Sequence, residues 1–161
     1  MRRIFGLLMA VSLLGSEPHS VSSSDYPSIP LQRQASGALT IDVRIGAHPV
    51  SVALLLDTGS SFVVISERMA RQIAKAVSKD PIQHVRGATA DGSTIVVPVH
   101  TLSALHVGHA CTLHDVEVVV LPDADRPIIG LSALRRLGTL GIDFQEPSLR
   151  FSACETTITS D

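Results

Sequence analysis

At 161 residues and 17.1 kDa, the chain has the length of one domain with room for a sizeable core. A net charge of −2 and a pI near 6.4 carry no basic footprint for nucleic acid. An aromatic content of 3% without Trp excludes a stacking platform for single strands, so the core must be built from Val, Leu, Ile and Ala.

Residues 1–22 read as an export signal. Arg2 and Arg3 form a basic start, and residues 4–14 are a mostly apolar run. That run is shorter than the roughly 20 residues a membrane-spanning helix needs, and it matches a signal-peptide core. The Arg pair faintly resembles a twin-arginine signal, and an ordinary basic n-region explains it more simply. Small residues at Gly15, Ser16, Ser20 and Ser22 make no clean Ala-x-Ala site, so a retained N-terminal anchor is the alternative to cleavage. The expectation is an exported protein, periplasmic or secreted, in contact with the membrane only if this segment is kept. Residues 23–36 are rich in Ser, Pro and Gln and read as a linker. The folded domain is expected over 37–154, with a tail at 155–161.

In the domain, "GALTIDVRIG" alternates: Leu39, Ile41, Val43 and Ile45 face one way, and Thr40, Asp42 and Arg44 the other. A turn at residues 46–49 and the run "VSVALLL" complete a hairpin. "DTGSS" interrupts two apolar runs, and "FVVIS" is a short β-branched strand. Ser66 is placed as the N-cap of a helix, "ERMARQIAKAV", with Met69, Ile73 and Val77 on one stripe, ending before Asp80-Pro81. From residue 85 strands resume. Asp91-Gly92 marks one hairpin turn and Gly108-His109 a second. After a loop at 122–127, "IIGLSALRRLG" is an apolar pair, a glycine and a short helix with Leu131, Leu134 and Leu137 on one face. "LGIDFQEPSLRF" is a last hairpin turning at Glu146-Pro147. The architecture is mostly β with one or two short helices.

A carboxylate at the end of an apolar strand loses hydration, so Asp57 in "LLLDTGSSFVVIS" needs a reason to be there. Asp57-Thr58-Gly59-Ser60 follows a hairpin, and "PIIGLSAL" lies about 70 residues further on. Over residues 37–152 this pattern resembles the retropepsin-like aspartic proteases, in particular their bacterial periplasmic or membrane-anchored branch. "GAHPVSVALLLDTGSSFVVIS" is similar to that family's first hairpin and active-site loop, "ATADGST" to its flap, and "PIIGLSAL" to the signature before its C-terminal helix.

The resemblance implies a single-lobe β fold that closes as a two-fold dimer, an endopeptidase activity on polypeptide, and no cofactor or metal. It makes Asp57 the catalytic carboxylate. Thr58 would bridge to the partner's loop, Gly59 would allow a tight turn, and Ser60 would lie beside the Asp57 carboxylate and donate to it. Ala90, Asp91 and Gly92 would form the flap tip. Gly130 would leave room behind the active-site loop, with Ile129 and Leu131 packed in the core. Arg135-Arg136 departs from the family's helix and implies that part of it faces solvent or a partner.

This chemistry needs one carboxylate as base for the attacking water and one carboxylic acid as proton donor. Two such acids side by side hold a single shared proton, because both cannot ionise at close range. The chain has one Asp-Thr-Gly and no Asp-Ser-Gly, so the second acid must come from a second copy on a two-fold axis.

Other readings stand beside this one. Asp57 could merely start a turn by bonding its own backbone, and Asp42, Asp115, Asp123, Asp125 and Asp143 read as solvated or turn residues. His106, His109, Cys111 and His114 are metal-ligand types, but their spacing fits no known zinc module. Cys111 and Cys154 are either a bridge closing 43 positions or two small buried apolar residues. The alternative function is a non-catalytic β-domain that binds a partner peptide in the cell envelope.

Overall fold

The computed structural model describes residues 26–88, 92, 94–122 and 124–155. Along them run β1 (Ser28–Arg33), β2 (Leu39–Ile45), β3 (Val52–Leu56), β4 (Val63–Ser66), α1 (Glu67–Gln72), β5 (Gln83–Ala88), β6 (Thr94–Val107), β7 (Cys111–Leu121), β8 (Ile128–Ile129), α2 (Leu131–Leu134), β9 (Leu140–Asp143) and β10 (Ser148–Phe151). The strands lie in the order β5-β6-β7-β4-β8-β3-β2-β1-β10-β9, and β2 also pairs with β6. That extra pairing makes β6, β7, β4, β8, β3 and β2 close round a common interior, as expected of a mostly β fold.

The alternation in β2 does what its pattern dictates. Leu39, Ile41, Val43 and Ile45 are buried, and Asp42 and Arg44 are exposed. They join Leu54, Ile65, Leu102, Leu105, Leu113, Ile129 and Phe151 in an aliphatic core in which the bulkiest fully buried side chain is that phenylalanine. Each buried Leu or Ile contributes roughly 1.5–3 kcal/mol, so the near absence of aromatics is no obstacle to stability.

The segment read as a linker is corrected: it contains β1. Ile29 and Leu31 are buried, and the strand pairs with β10 through Ser28–Pro30 and with β2 through Leu31–Arg33. Its Ser, Pro and Gln residues lie on the outward face and hide a two-residue apolar signal. The first helix is shorter than its stripe suggests. Ser66 caps it, its Oγ accepting from the Met69 amide at 3.2 Å, but the helix ends at Gln72. Ile73 is buried, and Val77 leaves the helical path to form a β-bridge with Leu102. The pull of the sheet edge outweighs helix continuation there.

The Arg135-Arg136 pair splits. α2 runs into a 3-10 turn at Arg135–Leu137, where Leu134 and Leu137 are buried as expected. Arg135 is exposed and donates to the Leu131 carbonyl. Arg136 instead turns inward and is only 6% exposed. Its Nε donates to the Glu155 carbonyl at 2.9 Å and its Nη1 to the His114 carbonyl at 2.6 Å. Burial pushes its guanidinium below the ordinary value, with Glu155 and Asp115 opposing. In the same region Cys111 and Cys154 are bridged, their Cα atoms 5.7 Å apart, which ties the end of the domain to the start of β7.

Candidate active site

β3 delivers Asp57 and β4 leads away from it, while β8 lies between them, parallel to β3 and antiparallel to β4. The loop joining β3 to β4 is therefore laced to β8 and α2 by backbone hydrogen bonds. The Asp57 amide donates to the Ile129 carbonyl at 3.2 Å. Leu131 donates to the Ser60 carbonyl and Ser132 to that of Ser61, both at 2.8 Å. This lacing needs Gly130. A Cβ there would stand 2.2 Å from the Phe62 carbonyl oxygen and 2.7 Å from that of Ser60. Ile129 is fully buried beside it, whereas Leu131 is only half-buried.

Ser132 is a functional support that the sequence did not single out. It is buried. Its hydroxyl accepts from the Val63 amide at 3.0 Å and donates to the Glu117 carbonyl at 2.8 Å, joining β4 to β7 across α2. A serine inside an apolar helix carried no distinguishing signal.

Within the loop, Asp57 is half-buried and its Oδ1 accepts the Gly59 amide at 2.8 Å. The turn-starting role expected as one reading of Asp57 is present, with one carboxylate oxygen serving the turn. Thr58 and Gly59 are exposed at the tip. Gly59 does not adopt a left-handed φ; what it supplies is room, since a Cβ would lie 3.1 Å from Asp57 Oδ1. The expected bond from Ser60 to Asp57 is not present. The Ser60 hydroxyl donates to the Phe62 carbonyl at 3.0 Å, and so belongs to the turn.

The flap-like hairpin forms as read. β5 and β6 pair from Gln83 with Val99 to Ala88 with Thr94. Ala90 and Asp91 lie outside the described residues. Gly92 has φ +83° with open space around its Cα, a conformation a turn assigns to glycine. Ile95 and Val96, just past it, present apolar side chains to solvent, Val96 at 62% exposure.

The His/Cys hairpin is otherwise engaged. Cys111 is in the bridge. His106 contacts Thr112 Oγ1 at 2.9 Å and the Gly46 carbonyl at 3.2 Å, and His114 contacts the Ser103 carbonyl at 3.1 Å. Two of these contacts join β6 to β7, and the one to Gly46 ties β6 to the turn after β2.

Comparison with known proteins fits this geometry. The family model described as "gag-polyprotein putative aspartyl protease" matches residues 41–136, more than half of the chain. Among solved structures, a retropepsin-like aspartic protease from Rickettsia conorii superposes with a TM-score of 0.57 at 21% identity, covering 78% of this chain and 98% of that one. At that identity the likeness carries the fold. No curated protein matches the chain.

Proposed function

Because the chain belongs to the gag-polyprotein aspartyl protease family, and is an aspartic endopeptidase of retropepsin-like fold, we propose that Asp57 is its catalytic carboxylate and that two copies of the chain share one site. The observation that carries this reading is the Asp57 carboxylate at the mouth of a loop laced to Ile129, Leu131 and Ser132. The non-catalytic peptide-binding alternative is not retained, since family membership makes the chain a hydrolase.

In the proposed reaction, one Asp57 carboxylate takes a proton from water as that water attacks the peptide carbonyl. The protonated Asp57 of the other copy gives its proton to the carbonyl oxygen. The tetrahedral gem-diol intermediate collapses: the C–N bond breaks, the proton held by the base goes to the departing amine, and one hydroxyl of the intermediate returns its proton to the other Asp57 as the new carbonyl forms. The exposed Thr58 would meet its counterpart across the two-fold axis. Substrate would lie extended beneath the β5–β6 hairpin and pair with its edge.

The cell-envelope location belongs to the same proposal. It is supported by the basic, apolar N-terminal run and by the Cys111–Cys154 bridge, which suits an oxidising compartment. The test is cleavage of an unfolded protein by wild type and Asp57→Asn. Asn is nearly isosteric but cannot act as base, so activity should vanish while the circular dichroism spectrum stays the same. Wild-type activity should fall with a statine-type inhibitor and persist with a chelator. Full activity in Asp57→Asn overturns the reading.

A further inference from the structure

The strand that delivers Asp57 also lines a cavity of about 440 Å³. Side chains alternate along a strand, so Ala53, Leu55 and Asp57 share a face, and the intervening Leu54 is fully buried in the core. Ala53 and Leu55 line the cavity, which places it about 7 Å along β3 from Asp57. Beside Leu55 the lining continues with Pro127 and Arg126, the segment that leads into β8; the Leu55 amide donates to the Pro127 carbonyl at 2.8 Å. The remaining rim is Gln34, Ala35, Ser36 and Thr40, polar but for the alanine. Gln34 donates to Thr40 Oγ1 at 3.0 Å, and both residues line the cavity.

The chemistry of this cavity is uneven. Its floor of Ala53, Leu55 and Pro127 is apolar, and among the described residues Arg126 is the one charged residue in its lining. The ion pairs among the described residues are Arg71–Glu67 and Arg150–Asp143, neither of which engages Arg126. From this we infer that the cavity is a substrate subsite beside the scissile bond, and that Arg126 makes it prefer a side chain with an apolar stem and an acidic end, glutamate above all. The stem covers Leu55 and Pro127, and the carboxylate meets the guanidinium. The inference rests on the proposed role of Asp57. In a two-fold dimer the cavity occurs twice, once on each side of the scissile bond.

The test uses quenched peptides identical but for Glu or Gln at the residue on either side of the scissile bond. It is run at about pH 6, above the ordinary glutamate pKa of about 4.3. Wild type should cleave the Glu peptide with kcat/KM about three- to fivefold higher. Arg126→Gln should equalise the two, and Arg126→Glu should reverse their order. The same peptides bound to Asp57→Asn, read by fluorescence anisotropy, should rank in the same way, so the preference is measured whether or not Asp57 is the catalytic acid. Equal handling of the two peptides by wild type, or a Glu preference that survives Arg126→Glu, overturns the inference. Cleavage by Asp57→Asn with an Arg126-dependent preference supports the subsite and overturns only the catalytic reading.

Discussion

A methyl group placed on Gly130 would stand 2.2 Å from the carbonyl oxygen of Phe62. This near-contact is the closest link between the two sequence features that define the site, because Phe62 ends the Asp57 loop and Gly130 opens α2. It concerns backbone, so no side-chain rotation relieves it. Gly130→Ala should therefore force the loop away from α2 and break the Leu131–Ser60 hydrogen bond. The expected loss of stability is about 3 kcal/mol, at the upper end for overpacking. Urea unfolding followed by circular dichroism measures it. A midpoint unchanged from wild type would mean that the loop and helix are not packed as described.

Ser132 joins β4 to β7 through one hydroxyl. Ser132→Ala leaves the Val63 amide and the Glu117 carbonyl without that partner. A buried polar group left unpaired costs about 1–3 kcal/mol, so a loss of about 2 kcal/mol is expected. Denaturant midpoints of the two proteins check this. A loss below about 0.5 kcal/mol, the range of an ordinary surface substitution, would contradict the bridging role.

The Cys111–Cys154 bridge spans 43 positions and restricts the unfolded chain more than the folded one. On chain-entropy grounds it contributes about 3–4 kcal/mol. The paired Cys111→Ser, Cys154→Ser protein should unfold at markedly lower temperature than wild type in scanning calorimetry, and reductant should lower the wild type to match. A wild type indifferent to reductant, with a melting temperature equal to that of the double variant, would mean that the bridge does not form.

Much of this site was legible before any coordinates. β2 declares itself because one face is buried and the other wet, whereas the β5–β6 hairpin is legible from its turn signal, Asp91-Gly92, since residues 83–87 and 94–98 stay exposed or half-buried. Asp57 and Gly130 stand out because each breaks an apolar run that needs no break on packing grounds. What stayed hidden depends on contacts distant in sequence. β1 exists because β10 and β2 flank it, and its own residues offer only Ile29 and Leu31 as evidence. Arg136 reads as a surface residue until the carbonyls of His114 and Glu155 converge on it. Ser132 has the same character, a polar group whose partners lie on two strands. Resemblance places the Ser60 hydroxyl on Asp57, but the local turn gives it the Phe62 carbonyl.

The central claim is that each active site needs Asp57 from two copies of the chain. Purified wild type and Asp57→Asn are mixed in varying proportion at fixed total concentration and left until native mass spectrometry shows mixed dimers. Cleavage of one peptide is then measured. If both carboxylates are required, activity follows the square of the wild-type fraction, and an equal mixture retains about a quarter of the undiluted rate. Activity that falls in a straight line, to about half in the equal mixture, would mean that a single Asp57 suffices and would contradict the shared site.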